Sequence, residues 1–155
     1  MKKKYRRGVG IFLINKKNQL WVGKRIDTRN DYWQMPQGGI DGAESPEDAM
    51  KRELMEETGV KYNYKVIGRT KNWLTYELPL DLVDSVWSGK YLGQQQIWFA
   101  CRFSGADNQI DINRYGKPEF SSWKWISPSR CLDLVIPFKK DMYRSIMKEF
   151  DSLLN

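Results

Sequence analysis

The stretch Gly38-Gly39-Ile40-Asp41-Gly42-Ala43-Glu44-Ser45-Pro46-Glu47-Asp48-Ala49-Met50-Lys51-Arg52-Glu53-Leu54-Met55-Glu56-Glu57-Thr58-Gly59-Val60 marks both ends of a helix. Ser45 suits the N-cap, Pro46 the first helical position, and Glu47 and Asp48 complement the helix dipole in the first turn. Gly59 is a stop signal, so a helix is expected over residues 46–58. Glu53, Glu56 and Glu57 then stand at i, i+3 and i+4, on one face within an arc of about 100°. Such like charges repel by a few tenths of a kcal/mol per pair, roughly, and a divalent cation is the simplest compensation. Met50 and Leu54 flank that face and can dock the helix on a sheet. Arg52 lies four residues before Glu56 and can hold its carboxylate in place. Ahead of the helix, Glu44 reaches back from just before the N-cap, and Gly38-Gly39 lets the chain turn sharply.

Working outward, apolar runs at residues 9–14 and 20–24 flank the polar turn Asn15-Lys16-Lys17-Asn18 and read as a hairpin. Further strand candidates are residues 64–69, 73–78, 96–103 and 121–126, with polar or Gly-containing segments between them, longest near 79–93 and 104–118. A second helix opens at Pro137 and carries Met142, Ile146, Phe150 and Leu153 at helical spacing, a core-packing face. Strands interleaved with two helices over 155 residues indicate one domain, residues 1–155, with a mixed α/β sandwich fold.

Composition removes whole classes of chemistry. The chain has no histidine, which excludes His-based triads, His general bases and His-ligated zinc. Carboxylate oxygens are the remaining ligands, and they suit Mg²⁺ or Mn²⁺. Cys101 and Cys131 form no metal-spacing pattern, and two thiols point to a reducing cytoplasm. No apolar run approaches the roughly 20 residues of a membrane span. Met1-Lys2-Lys3-Lys4 and the apolar residues after it mimic a signal peptide faintly, but the run is short and reads better as a first strand. Seven Trp, eight Tyr and six Phe serve mainly in packing, while a few could stack on bases.

Charge is unevenly placed within the formal net of +7. Residues 1–30 hold ten Lys and Arg against one Asp, a net of +9, whereas residues 38–60 hold seven acids against two bases, a net of −5. A basic body around an acidic island suits a polyanion held by the former and metal ions by the latter. A solvated basic surface would look the same from charge alone.

An acidic cluster by itself is ordinarily a solvated helix face, and here the spacing decides otherwise. Gly38, five residues, Glu44, seven residues, then Arg52-Glu53-Leu54-Met55-Glu56-Glu57-Thr58-Gly59-Val60 matches the Nudix box at every fixed position. Seven positions demand one residue type, which chance supplies on the order of 10⁻⁹ times per window. The chain is identified as resembling the Nudix hydrolases. The resemblance implies a Nudix fold, an α/β/α sandwich with a mixed β-sheet and the box as loop–helix–loop. It further implies that Glu53, Glu56 and Glu57 hold Mg²⁺ or Mn²⁺ while a pyrophosphate bond is hydrolysed. Either Glu57 or a glutamate from a later loop would take the proton of the attacking water.

The flanks narrow the resemblance. Tyr5-Arg6, Trp33-Gln34-Met35-Pro36-Gln37-Gly38-Gly39, Asn72-Trp73-Leu74, Gly93-Gln94, Trp98-Phe99, Pro118-Glu119-Phe120, Trp123-Lys124-Trp125 and Phe138-Lys139-Lys140-Asp141-Met142-Tyr143 are similar to the bacterial RNA pyrophosphohydrolase and diadenosine polyphosphate hydrolase subgroup. That subgroup implies Glu119 as a further metal ligand or catalytic carboxylate, and Arg52 as support for the glutamates. Arg6, Arg25 and Lys139 would meet phosphates or bases, Phe138 would stack on a base, and Gln37, Gly38, Gly39 and Tyr76 would line the phosphate cleft. The implied substrate is the 5′-triphosphate end of RNA, with a dinucleoside polyphosphate as the alternative and a non-catalytic nucleotide-binding domain as a remote one. No obligate protein partner is evident. Arg7 and Ala43 depart from the subgroup's Pro and Gly, and the loop over residues 27–32 looks slightly longer, which bears on contacts to the first nucleotides.

Overall fold

The computed structural model describes residues 4–27 and 31–154. Its elements, in chain order, are β1 (Lys4–Ile14), β2 (Leu20–Arg25), β3 (Trp33–Gln34), β4 (Gln37–Gly39), α1 (Pro46–Thr58), β5 (Tyr64–Arg69), β6 (Leu74–Glu77), α2 (Leu80–Val83), β7 (Tyr91–Phe103), β8 (Phe120–Ile126), α3 (Cys131–Leu134) and α4 (Lys140–Phe150). The strands form one mixed sheet ordered β3-β2-β1-β7-β5, with β4 also on β1, β6 on β7 and β8 on β2. At its centre β1 and β7 run parallel from Lys4↔Tyr91 to Ile14↔Arg102, while their other pairings are antiparallel.

Side chains alternate across the two central strands, as the period of a strand requires. Val9, Ile11, Leu13, Ile97 and Phe99 pack with Ala49, Met50 and Leu54 of α1. Phe12, Ile14, Trp98 and Ala100 pack with Met142, Tyr143, Ile146 and Phe150 of α4 on the other face. Ring centroids there lie 5.4 Å apart for Phe12–Phe150 and 5.8 Å for Trp98–Tyr143. Burial on both faces explains why residues 9–14 read as an unbroken apolar run.

The box helix keeps its sequence signals. Ser45 Oγ accepts the Asp48 N–H at 3.1 Å, and Gly59 closes the helix with φ 80° and its N–H on the Met55 carbonyl. Two expectations change. The box opens on strand β4 instead of a loop, because Gly8, Val9 and Gly10 of β1 pair with Gly39, Gly38 and Gln37. Gly38 and Gly39 therefore make no sharp turn; Gly42, at φ 49°, takes the left-handed conformation of the turn that follows. The C-terminal helix opens as a tight turn at Pro137–Lys139 before α4 proper, and a second such turn at Asp151–Leu154 follows it.

Short or polar segments escaped the pattern reading. β3, β4, α2 and α3 span two to four residues, too few for a period to show. β7 begins at Tyr91, ahead of the start expected at Gln96, because Gln94, polar enough to read as loop, is fully buried like Gln96. A lateral chain satisfies Gln96: Trp98 Nε1 donates to Gln96 Oε1 at 2.9 Å, and Gln96 Nε2 donates to Gln94 Oε1, while Gln94 Nε2 is buried without a partner. Residues 1–3, and residues 28–30 of the loop noted above, lie outside the described residues.

Candidate active site

A cleft of about 960 Å³ opens where β4, the exposed face of α1 and the start of α4 meet. Arg6, Arg25, Gln37, Gly38, Gly39, Glu53, Glu56, Glu57, Tyr76, Glu119, Phe138 and Lys139 all line it. Arg52 is the one expected site residue outside the lining, held behind the glutamates.

The carboxylates differ in their surroundings. Glu53 and Glu57 are buried on the cleft side of α1, while the Glu56 side chain is 45% exposed. Burial pushes the Glu53 carboxyl up to about 7, against the opposing pull of Arg52. Burial, reinforced by the charge of Glu53, raises Glu57 well above the usual carboxylate range. Glu57 Oε1 accepts the Gln37 N–H at 3.2 Å, and its Oε2 is buried without a hydrogen-bond partner. Glu119 stands on the loop before β8, near enough for its charge to act on Glu57.

Gly38 and Gly39 are required for room. A Cβ on Gly38 would fall 1.9 Å from Glu53 Cδ, and one on Gly39 would fall 2.1 Å from an Arg6 guanidinium nitrogen. The paired glycines thus admit an anion on one face of β4 and a cation on the other.

Arg52 organises the cluster more broadly than an i,i+4 pair. Its Nε and Nη2 meet the two Glu44 oxygens, each at 2.9 Å, and Nη2 also donates to the Gly39 carbonyl at 2.8 Å. Its Nη1 contacts Glu53 at 2.7 Å and Glu56 at 3.3 Å. The fork geometry suits a bidentate carboxylate, so Glu44 is the principal partner. With Glu53 and Glu56 each turned toward Arg52, no three carboxylates among the described residues form a ready-made cation cage. The donor set nevertheless fits a divalent ion: carboxylate oxygens alone, and a buried Glu57 oxygen awaiting a positive partner.

Cations and aromatics face the glutamates. Arg25 donates to Asp27 at 2.7 Å and to Gln34 at 2.8 Å, and Lys139 Nζ shares that Gln34 oxygen at 3.2 Å. Lys139 is buried, and desolvation, helped by the charge of Arg25, pushes its ammonium down to about 7. It lies 5.2 Å from the centroid of the Tyr76 ring, which is also 5.8 Å from the Phe138 ring. Tyr76 is buried, and that burial pushes its phenol up. Phe138 is only half-buried, so part of its ring faces the cleft.

The sequence reading missed Asp27, Gln34 and Trp87, which also line the cleft. Asp27 is signalled only by its place two residues after Arg25. Gln34 lies within a stretch that carries the family resemblance but was assigned no role, and Trp87 carried no signal at all.

A family model described as NUDIX domain matches residues 4–148. A curated relative from Rickettsia canadensis (strain McKiel), named RNA pyrophosphohydrolase, is 46% identical over 150 residues, covering 97% of this chain and 92% of its own. Another of that name, from Zymomonas mobilis, is 47% identical over 151 residues and covers 97% of both. Among solved structures, the dihydroneopterin triphosphate pyrophosphohydrolase of E. coli superposes with a TM-score of 0.72 at 17% identity, over 95% of this chain and 99% of that one. A C. elegans Ap4A hydrolase gives 0.68 at 16% identity, over 95% and 98%. Those two similarities bear on the fold, whereas the box glutamates, their arginine and the near full-length family match bear on kinship: this chain belongs to the NUDIX family.

Proposed function

We propose that this chain is an RNA pyrophosphohydrolase, converting 5′-triphosphorylated RNA to 5′-monophosphorylated RNA with release of pyrophosphate or successive phosphates. One observation carries the reading: a single cleft joins the α1 glutamates, four cationic side chains and a half-exposed aromatic ring. That is the chemistry of a polyphosphate attached to a base. Similarity to relatives bearing this name along 97% of the chain supports it.

Nudix hydrolases use divalent metals. In this chain Glu53, Glu56 and Glu57, with Glu119 from the facing loop, would hold Mg²⁺ or Mn²⁺. The ion supplies charge neutralisation on the leaving phosphate and activation of the attacking water. Arg52 keeps Glu53 and Glu56 oriented through its bonds to both. Arg6, Arg25 and Lys139 bind the phosphates, Gln37, Gly38, Gly39 and Tyr76 shape the cleft around them, and Phe138 stacks on a base. The proton of the attacking water goes to a carboxylate, with Glu57 and Glu119 as the two candidates. The chain acts as one domain, and its buried, unpaired thiols suit a reducing cytoplasm. Among the described residues no helix is long and apolar enough to cross a membrane.

The deciding experiment compares kcat/KM for triphosphorylated RNA and for diadenosine polyphosphates, with Mg²⁺ or Mn²⁺ and with chelator. RNA should be preferred, and chelator should abolish turnover while the fold persists. Preference for the dinucleotide would make the enzyme a dinucleoside polyphosphate hydrolase. Full turnover with chelator would overturn the metal assignment.

A further inference from the structure

The segment between β6 and β7 holds its backbone in an unusual state. Trp87, Ser88 and Gly89 have φ of 50°, 57° and 71°, three left-handed residues in succession, two of them with side chains. A non-glycine residue so placed is strained and persists only where surrounding contacts over-determine it. Here those contacts fix one side chain. The Trp87 ring stands 5.4 Å from the Arg6 guanidinium carbon and meets the Tyr91 ring edge-on at 6.1 Å.

The indole is only partly buried, and it lines the same cleft as the glutamates. Leu78, Leu82 and Val86 line the cleft with it, adding apolar surface to a site that also holds the carboxylates. Phosphates have no use for such a surface. A nucleobase does, because it is flat, poorly hydrated on its faces and attracted to both indole and guanidinium planes. Phe138 and Tyr76 form a separate aromatic pair. No aromatic contact joins Trp87 to them; its ring partners are Arg6 and Tyr91.

We propose that Trp87, with Arg6 over its ring, forms a second nucleobase subsite in this cleft, besides the one at Phe138, and helps determine which substrates are accepted. The subsite rests on the proposed function, since it takes one of the first two bases of a 5′-triphosphorylated RNA. Arg6 then serves two ends of the substrate: its charge meets phosphate, and its guanidinium over the indole helps hold the ring against which the base stacks.

The test uses the intact protein and short triphosphorylated RNAs that are either complete or abasic at the first or second nucleotide. Trp87→Ala should raise KM for the complete RNA by about tenfold with kcat little changed, and Trp87→Phe should restore most of that loss. For the RNA abasic at the stacked position, wild type and Trp87→Ala should have equal KM. An equal loss on all three RNAs would show that Trp87 acts only through Arg6 or the fold, and no loss on any would remove it from the site; either result overturns the subsite. Failure of the wild type to hydrolyse triphosphorylated RNA at all would instead reject the proposed function, so the two failures are distinguishable.

Discussion

Gly38 shows how one missing carbon can matter more than many present ones. Its absent side chain is the space the Glu53 carboxylate occupies. Gly38→Ala should displace that carboxylate, lowering kcat/KM by about 10²-fold, the scale of a 1 Å misplacement. Overpacking should also cost about 1–3 kcal/mol, read as a lower Tm. An alanine variant with wild-type kinetics would show that Glu53 can move without consequence. Glu53 itself gives a signed pH prediction for the protein in chelator. Its folded pKa of about 7 lies above the ordinary value of 4.5. Between those values the folded state keeps a proton that the unfolded state has lost, so stability falls as pH rises. Glu53→Gln removes the titration, so its Tm should gain on wild type from pH 4.5 to 7 and then hold a constant lead. Lys139 runs the opposite way: its folded pKa of about 7 lies below 10.5, so its penalty is complete below 7 and fades as pH rises to 10.5.

At the scale of elements, α1 is where sequence and structure agree in most detail. Its cap, first-turn acids and left-handed stop are local features that the backbone of a few residues dictates. Ser45→Ala should therefore cost about 1 kcal/mol. That loss should lower Tm by about 2–4 °C in a chain of this size, with KM unchanged. A KM that rose with the falling Tm would mean that the cap also positions the glutamates. The same locality made Glu53, Glu56 and Glu57 legible, since they share one helical face. Glu119, Arg25 and Phe138 could be drawn toward the glutamates only through resemblance, because they lie on separate elements and only the assembled sheet brings them together. The places of Gln34 and Trp87 in the cleft were illegible for a further reason. One sits on a two-residue strand and the other in a backbone conformation that no side-chain pattern encodes. The paired glycines were noticed with the wrong cause: a turn was expected, and close approach by side chains was found.

At the scale of the molecule, the net charge of +7 surrounds a cleft whose carboxylates are partly neutralised from within by Arg52. Binding of a single-stranded polyanion to such a body releases counterions, with log K falling on log[salt] at roughly −0.7 per phosphate contact. KM for triphosphorylated RNA should thus climb more steeply with salt than KM for a diadenosine polyphosphate, a shorter anion. Equal slopes in a two-salt comparison would place the longer RNA outside the basic surface and leave only its 5′ end bound.

The parallel pairing of β1 with β7 has a consequence for how the protein comes into being. Strands whose partners stand about 87 positions apart, Lys4 with Tyr91 and Ile14 with Arg102 alike, cannot zip until the later one exists. Contacts of such long range are slow to form, because the intervening loop must close before any pairing rewards it. On a ribosome making about 5–20 residues per second, the box helix would emerge some seconds before the strand that completes its floor. During that interval its apolar side, Ala49, Met50 and Leu54, has no finished sheet to cover it. The nascent chain is thus most exposed to aggregation between synthesis of the helix and of Phe103, well before the last helix is made.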